Sequence, residues 1–404
     1  MAYPFRVQMM GVYTVHPADG RHLGWSVLRE NRQFAVAEMV RAGLNTAVMS
    51  YWGEAPGSLA PPPYPGSDRW RAYAPMQTST QSHDQLFAEA VTQPLLIMPA
   101  IESSNKTATS PAFIFPDEFP PTDPANCSLT HQIKDLIRRY LQAPQDERWS
   151  DRWLQLYDQD GVPRRAVYII DVKSTSESLR PGVFGNTNEQ HAAFANGFCA
   201  IANAIFDATQ VHIGFVLDAA IRPVIFGRPA FVNDYYPTSS YPDCNADAGD
   251  ALRLQKSVLA IQAYAPEGTL SPERLEWERV DLKRRYLANW AATGIPVFMD
   301  LTIGYDGYLV FPPGPHTQSG IWGNNASWQI ELLKIQPDAF PGVAFTTWNG
   351  YTEGYAVVPN SVVGLDDMVG AGPRMDIVVG ATPARLANQD ASRRRGDRIV
   401  APAK

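Results

Sequence analysis

The sequence predicts a (β/α)8 barrel of TIM type, with long loops after its strands and a short C-terminal extension. Two observations carry this. Short apolar runs recur eight times before about residue 350, with helical patterns between them. Most are continuously apolar rather than alternating, as a strand buried on both faces must be. The connections are also unequal. Turns entering the strands are short, as in Ala42-Gly43-Leu44 and Thr293-Gly294-Ile295, whereas long Pro-, Gly- and Tyr-rich segments leave them. In a closed parallel barrel every segment leaving a strand gathers on one face, which is the catalytic face.

The strand runs, in order, are Val7–Tyr13, Thr46–Tyr51, Leu95–Ala100, Ala166–Val172, His212–Leu217, Val258–Tyr264, Pro296–Leu301 and Gly342–Thr347. Helical patterns lie at Trp25–Ala42, Leu129–Leu141, Glu189–Thr209, Asp250–Lys256, Pro272–Ala292 and Ser327–Ile335. The first puts Val27, Leu28, Phe34, Ala35, Met39 and Val40 roughly on one stripe and stops at Gly43. A doubly wound open sheet is the rival architecture. It rarely needs eight strands, and no Gly-rich phosphate loop follows the first one. The long loops are Gly53–Ser82, Ser103–Ser128, Lys173–Asn188, Ala219–Gly249 and Thr302–Asn324. None has a core pattern of its own, so the reading is one catalytic barrel over residues 1–365. Residues 366–404 are read as an extension whose end, beyond the apolar run Met375–Val379, is polar and mobile.

Composition narrows the partner class. The 404-residue chain is 45% hydrophobic, 19% charged and 11% aromatic, with a net charge of −7. That balance points away from nucleic acid. No apolar stretch is long enough to span a bilayer. The N-terminus shows no basic region followed by an apolar one, which reads as a cytoplasmic chain or a secreted one whose signal has been removed. The 3 cysteines have no metal-type spacing, and Cys127 and Cys244, both read as loop residues, are the pair a disulfide would join. No metal or cofactor motif is present.

Chemistry-bearing residues collect where the strands end. Asp171 closes Val-Tyr-Ile-Ile-Asp, Asp218 closes Gly-Phe-Val-Leu-Asp and Asp300 closes Val-Phe-Met-Asp; Glu102 follows the third run. A carboxylate ending a buried strand is costly unless it is paired or hydrogen-bonded, so each such Asp either anchors the barrel mouth or meets a ligand. Tyr13, Tyr51, Trp52, Tyr264, Tyr305, Trp348 and Tyr351 cluster at the same ends, where rings stack on the apolar face of a sugar or simply pack the rim. His16, with Asp19 nearby, is a candidate donor to a sugar hydroxyl. Carboxylates converging among aromatics suit cleavage of a glycosidic bond.

The segment Phe345-Thr-Thr-Trp-Asn-Gly-Tyr-Thr-Glu-Gly resembles the last-strand motif Trp/Phe-Asn-Glu-Trp-x-Glu-Gly of glycoside hydrolase family ninety-nine, the endo-α-mannosidase type. It is also similar to Trp-Asn-Asp-Tyr-Gly-Glu-Ser of the family seventy-one α-1,3-glucanases. Thr302-Ile-Gly-Tyr-Asp306 resembles the Pro-Gly-Tyr/Trp-Asp of the first group, and Ile101-Glu102 sits where such barrels carry a functional acid. The resemblance implies that Glu353 is the general acid/base and that Trp348, Asn349, Tyr351, Tyr305 and Asp306 line the site. The motif's first acid falls on Gly350, so its partner carboxylate must come from another strand, with Glu102 and Asp171 as the first candidates. Trp52, Tyr51, Tyr264, His16, Asp218 and Asp300 complete the expected binding set.

The expectation is therefore a cofactor-free glycoside hydrolase acting on an oligo- or polysaccharide, endo-acting because its loops are long. Gly350 keeps open a non-catalytic carbohydrate-binding protein on the same barrel. A lyase or isomerase with Tyr or His as base is a third class. Sugar, linkage and stereochemical outcome are not fixed by the sequence.

Overall fold

The structure is a computed structural model that describes residues 7–12, 29–51, 79–102, 123–170, 187–218, 256–262, 296–302 and 340–346. The described strands form one sheet: β1 (Val7–Val12), β2 (Thr46–Ser50), β3 (Leu96–Glu102), β4 (Gln155–Tyr157), β5 (Pro163–Ile170), β6 (Ile213–Asp218), β7 (Val258–Gln262), β8 (Val297–Thr302) and β9 (Gly342–Thr346). All but β4 are parallel, and they close in the order β1-β2-β3-β5-β6-β7-β8-β9, with β9 returning to β1. Each of the eight apolar runs coincides with one barrel strand to within a few residues.

The register fixes the stagger of the barrel. From Glu102 the pairing runs through Ile170, Asp218, Gln262, Phe298, Gly342 and Val7, and returns through β2 to the level of Pro94, eight residues before its start. That is the shear of a (β/α)8 barrel.

Closure produces two cores, which explains why the runs read as continuously apolar. Val7, Met9, Val48, Met98, Ala166, Tyr168, Val216, Leu259 and Phe298 fill the lumen. Met10, Met49, Ile97, Ile101, Val167, Ile169, Phe215, Leu217, Ile261 and Val343 face outward onto the helices. Two lumen positions must be glycine. A Cβ at Gly214 would lie 2.6 Å from Leu259 Cδ1, and one at Gly342 would lie 2.6 Å from Phe298 Cδ1.

Strands β3 and β5 pair only near their ends, from Ala100↔Tyr168 to Glu102↔Ile170. Nearer their starts the chain just before β4 fills the gap. The Leu154 amide donates to Ile97 O (2.8 Å), Leu154 O accepts from the Ala166 amide (3.0 Å), and the Trp153 indole N–H donates to Ala166 O (2.8 Å). Leu154 and Leu156, fully buried, join the lumen cluster and complete the floor of the barrel. Three residues are too few for a periodic signal, so β4 has no counterpart in the sequence reading.

Four α-helices are described: α1 (Arg29–Arg41), α2 (Ser79–Ala90), α3 (Ser128–Ile137) and α4 (Thr187–Thr209). Helix α1 ends in a Schellman cap. The Leu44 amide donates to Met39 O and the Gly43 amide to Val40 O, with Gly43 at φ +86°. Helix α2 was not foreseen, because the sequence reading placed its first residues in a long loop. Its buried face is partly polar: Thr80, Ser82 and His83 sit beside Leu86, Phe87 and Ala90. Cys127 caps α3, its Sγ accepting from the Thr130 amide at 3.4 Å. It is a free, buried thiol; Cys244, the partner a disulfide would need, lies outside the described residues. The patterns at Pro272–Ala292 and Ser327–Ile335 also lie outside them, as does all but the last residue of Asp250–Lys256.

Candidate active site

The parallel strands all finish at one mouth, at Val12, Ser50, Glu102, Ile170, Asp218, Gln262, Thr302 and Thr346. Three acids of the sequence reading belong to this ring of strand ends. Glu102 ends β3 opposite Ile170, Asp218 ends β6 opposite Gln262, and Asp300 lies one turn of the pleat below Thr302, opposite Ala344. The Asp218 side chain continues the inward phase set by Val216 and is buried, at 2% exposure. The side chains of Glu102 and Asp300 lie outside the described set. So do Glu353, Asp171, Trp348, Asn349, Tyr351, Trp52, His16, Tyr264, Tyr305 and Asp306 in full.

Two further polar residues share this end of the lumen, and the sequence reading missed both. Tyr168, on β5, donates its hydroxyl to Gln262 Oε1, on β7. The bond passes over β6, so it bars the lumen above Val216 and beside Asp218. Gln262 points inward because of a β-bulge. Phe215 pairs with Val258 but Val216 pairs with Ala260, leaving Leu259 as an extra residue. Leu259 and Ala260 consequently both face the lumen, Ile261 faces the helices, and Gln262 turns in. Gly214 makes room for the bulged leucine. One signal existed in the sequence: Val-Leu-Ala-Ile-Gln ends a buried strand on a polar residue, as the Asp-ending runs do.

Tyr51 corrects an expectation. It was placed among the rings facing a sugar, yet it is fully buried on the helix side of β2, alongside Met49. Its hydroxyl donates to Asp135 Oδ2 at 2.5 Å. Burial and that carboxylate both raise its pKa. Burial pushes Asp135 up, but hydrogen bonds from Tyr51 and Arg138 outweigh it and leave the carboxyl below its ordinary value. Beside Tyr51, the fully buried His83 makes an edge contact, with ring centroids 5.1 Å apart. Its Nε2–H donates to Met49 O (2.9 Å) and Ser50 O (3.0 Å), so it holds the end of β2 from behind. Desolvation lowers its pKa to about 4 against those two bonds, with Arg139 adding to the lowering. The wall continues through Tyr140, stacked on Phe87 at 4.0 Å and donating to Asp84 Oδ1 at 2.9 Å.

Among the described residues no group of three or more His, Cys, Asp or Glu is placed to hold a metal ion, and no helix is long and apolar enough to cross a membrane.

No protein-family model and no curated protein matches the sequence. Solved structures match the fold. A GH99 endo-α-mannosidase from Bacteroides thetaiotaomicron superposes with a TM-score of 0.53 at 13% identity, covering 96% of this chain and 98% of that one. A glycoside hydrolase-like protein gives 0.52 at 10% identity, covering 95% of each chain. An endo-1,4-β-mannanase from Rhizomucor miehei gives 0.51 at 12% identity, covering 96% of each. At such identities the likeness is one of fold, and it makes this chain a (β/α)8 barrel of the kind those enzymes use.

Proposed function

We propose that the chain is a glycoside hydrolase that cleaves O-glycosidic bonds of an oligo- or polysaccharide, endo-acting, through a carboxylate pair at the mouth of the barrel. One observation carries the reading: Glu102, Asp218 and Asp300, far apart in sequence, all belong to strand ends at a single mouth. The barrels it superposes on lend further support, since their names are those of saccharide-cleaving enzymes. The catalytic barrel is taken to span residues 1–365, with 366–404 as an extension.

In this mechanism Glu353 is the acid that protonates the leaving oxygen, and Glu102 or Asp171 is the ionised partner that attacks the anomeric carbon or activates water. Such roles need the two pKa values held apart by burial and mutual charge. A carboxyl separation of about 5–5.5 Å gives retention and about 6.5–9.5 Å gives inversion. Trp348 and Trp52 are assigned to stacking, and Asn349, Tyr351, His16, Asp218, Tyr264, Asp300, Tyr305 and Asp306 to the sugar hydroxyls. The test is digestion of a glycan array by wild type and by Glu353→Gln. New reducing ends with the first and none with the second support the assignment; equal digestion removes Glu353 from its role.

One observation favours a second reading. Gly350 stands where the motif has its first acid, as expected of a barrel that binds carbohydrate without cleaving it. That protein retains glycan affinity, loses it on Trp348→Ala or Trp52→Ala, and releases no products on long incubation.

A further inference from the structure

Two seams of the barrel are short. Among the described residues β3 and β5 share three register pairs and β7 and β8 share two, whereas every other neighbouring pair of barrel strands shares four or five. The first short ladder ends at Glu102↔Ile170 and the second at Gln262↔Phe298. Tyr168 belongs to the first, level with Ala100, and Gln262 belongs to the second. The hydrogen bond between these two side chains, 94 residues apart in sequence, therefore joins the short seams to each other across β6. At about 4.8 Å per strand spacing, the backbones of β5 and β7 stand about 10 Å apart, so two long side chains are needed to close the gap.

Packing alone does not call for such a pair. Both residues are buried to 2% exposure. A neutral buried hydrogen bond contributes only about 0.5–1.5 kcal/mol net, and exchanging both partners for apolar groups of the same shape is often neutral. The chain nevertheless carries a β-bulge that turns Gln262 inward, and a glycine at Gly214 that makes room for the bulged Leu259. A satisfied buried bond supplies what apolar contact does not, a set distance and direction. It holds β5 and β7 in one arrangement, where ladders of three and two pairs leave play. The acid at the end of the first seam is Glu102, two residues beyond the Ala100↔Tyr168 pair.

We propose that Tyr168 and Gln262 are positioning residues: their bond braces β5 against β7 and thereby fixes the strand end that carries Glu102. Neither residue meets a ligand, and both act with their hydrogen-bonding groups already engaged. The consequence for catalysis rests on the reading of Glu102 as the ionised partner given above; the brace itself does not.

The experiment uses the full chain labelled with [13Cδ]glutamate, as wild type, Tyr168→Phe, Gln262→Met, the double variant and Val7→Ala, each first shown to melt cooperatively. Val7 lines the lumen on β1, outside both seams, so its truncation lowers the melting temperature without touching the brace. The Glu102 carboxyl resonance is identified by its absence in Glu102→Gln. Both single variants are expected to displace it, and the double variant no further than the larger of the two, because all three remove one bond. The double variant melts close to wild type, while Val7→Ala melts lower and leaves the resonance in place. A resonance unmoved in Tyr168→Phe overturns the proposal, as does one that Val7→Ala displaces equally, which marks general loosening. Release of reducing ends from yeast mannan, laminarin and carboxymethylcellulose is followed in parallel. On whichever is cleaved, Tyr168→Phe is expected to lower kcat about tenfold with KM within about twofold, and Val7→Ala to leave both unchanged; undiminished kcat in Tyr168→Phe overturns the catalytic consequence. If wild type cleaves none of the three, the catalytic consequence fails with them, and the resonance alone decides whether the brace stands.

Discussion

The Tyr51 hydroxyl donates to Asp135 Oδ2 at 2.5 Å and so ties the end of β2 to the last turn of α3. The ring of Tyr51 is buried, while the Asp135 side chain keeps 30% exposure and also holds Arg138. The tie therefore has one dry end and one partly wetted end. Immediately beyond it in the chain comes Trp52, assigned above to stacking on the substrate.

Tyr51→Phe removes the bond and keeps the ring. A hydrogen bond to a charged group contributes about 1.5–3 kcal/mol, and the wetted end of this one places the expected loss near the lower figure. Urea denaturation measures it. Asp135→Ala is expected to be non-additive with Tyr51→Phe, because both remove the same contact. Additive losses would show that the two residues stabilise the barrel independently.

His83 makes stability depend on pH in a definite window. Its folded pKa, about 4, lies below its ordinary value of 6.5 because burial disfavours the imidazolium. The unfolded chain therefore takes up the proton first. The stabilisation is complete above about pH 6.5, declines as pH falls, and is gone once pH passes below about 4. A separation of about 2.5 units corresponds to roughly 3 kcal/mol. Nδ1 has no hydrogen-bond partner, so protonation there gains nothing. Thermal denaturation between pH 7 and pH 4 is expected to show a steeper fall for wild type than for His83→Gln. His212, whose pKa is also lowered by burial and by Arg164, titrates in both proteins and cancels in that comparison.

Gly342→Ala places a Cβ 2.6 Å from Phe298 Cδ1. Overpacking of this kind costs about 1–3 kcal/mol. Phe298→Leu in the same chain gives back most of the loss if the clash is its cause. Gly214→Ala is expected to behave in the same way toward Leu259, and additionally to disturb the bulge that aims Gln262. Its melting temperature should therefore fall at least as far as that of Gly342→Ala.

The barrel was legible because closure buries both faces of every strand. Thr46–Ser50, Ile213–Asp218 and Val258–Gln262 are buried at every position, so the runs stand out without alternation. The same fact hid which way each side chain points. With Met49 and Val48 equally apolar, nothing in the run told Tyr51 from Ser50, and Tyr51 was given to the sugar when it belongs to the helices. The bulge at Leu259 hid Gln262 for the same reason, since a phase slip leaves no mark in an all-apolar strand. Helix α2 escaped because its buried face carries Thr80, Ser82 and His83, which interrupt the apolar stripe a sequence reading relies on. The carboxylates at the ends of β3, β6 and β8 were readable because a charge that ends a buried strand violates the pattern around it.

Glu353 as general acid makes a kinetic prediction sharper than loss of turnover. An acid that must be protonated to act imposes the alkaline limb of the pH–rate profile, and an ionised partner imposes the acidic limb. Wild type should therefore give a bell-shaped profile on whichever polysaccharide the array identifies. Glu353→Gln keeps the shape of the side chain but cannot titrate. It is expected to lower turnover by about 10²–10⁴-fold on substrates with poor leaving groups and to flatten the alkaline limb while leaving the acidic one in place. Glu102→Gln and Asp171→Asn compete for the acidic limb: the partner is whichever substitution abolishes it. If Glu353→Gln instead retains both limbs at reduced height, Glu353 supports the site without exchanging a proton, and the acid must be sought among the other strand-end carboxyls, with Asp218 and Asp300 next in line.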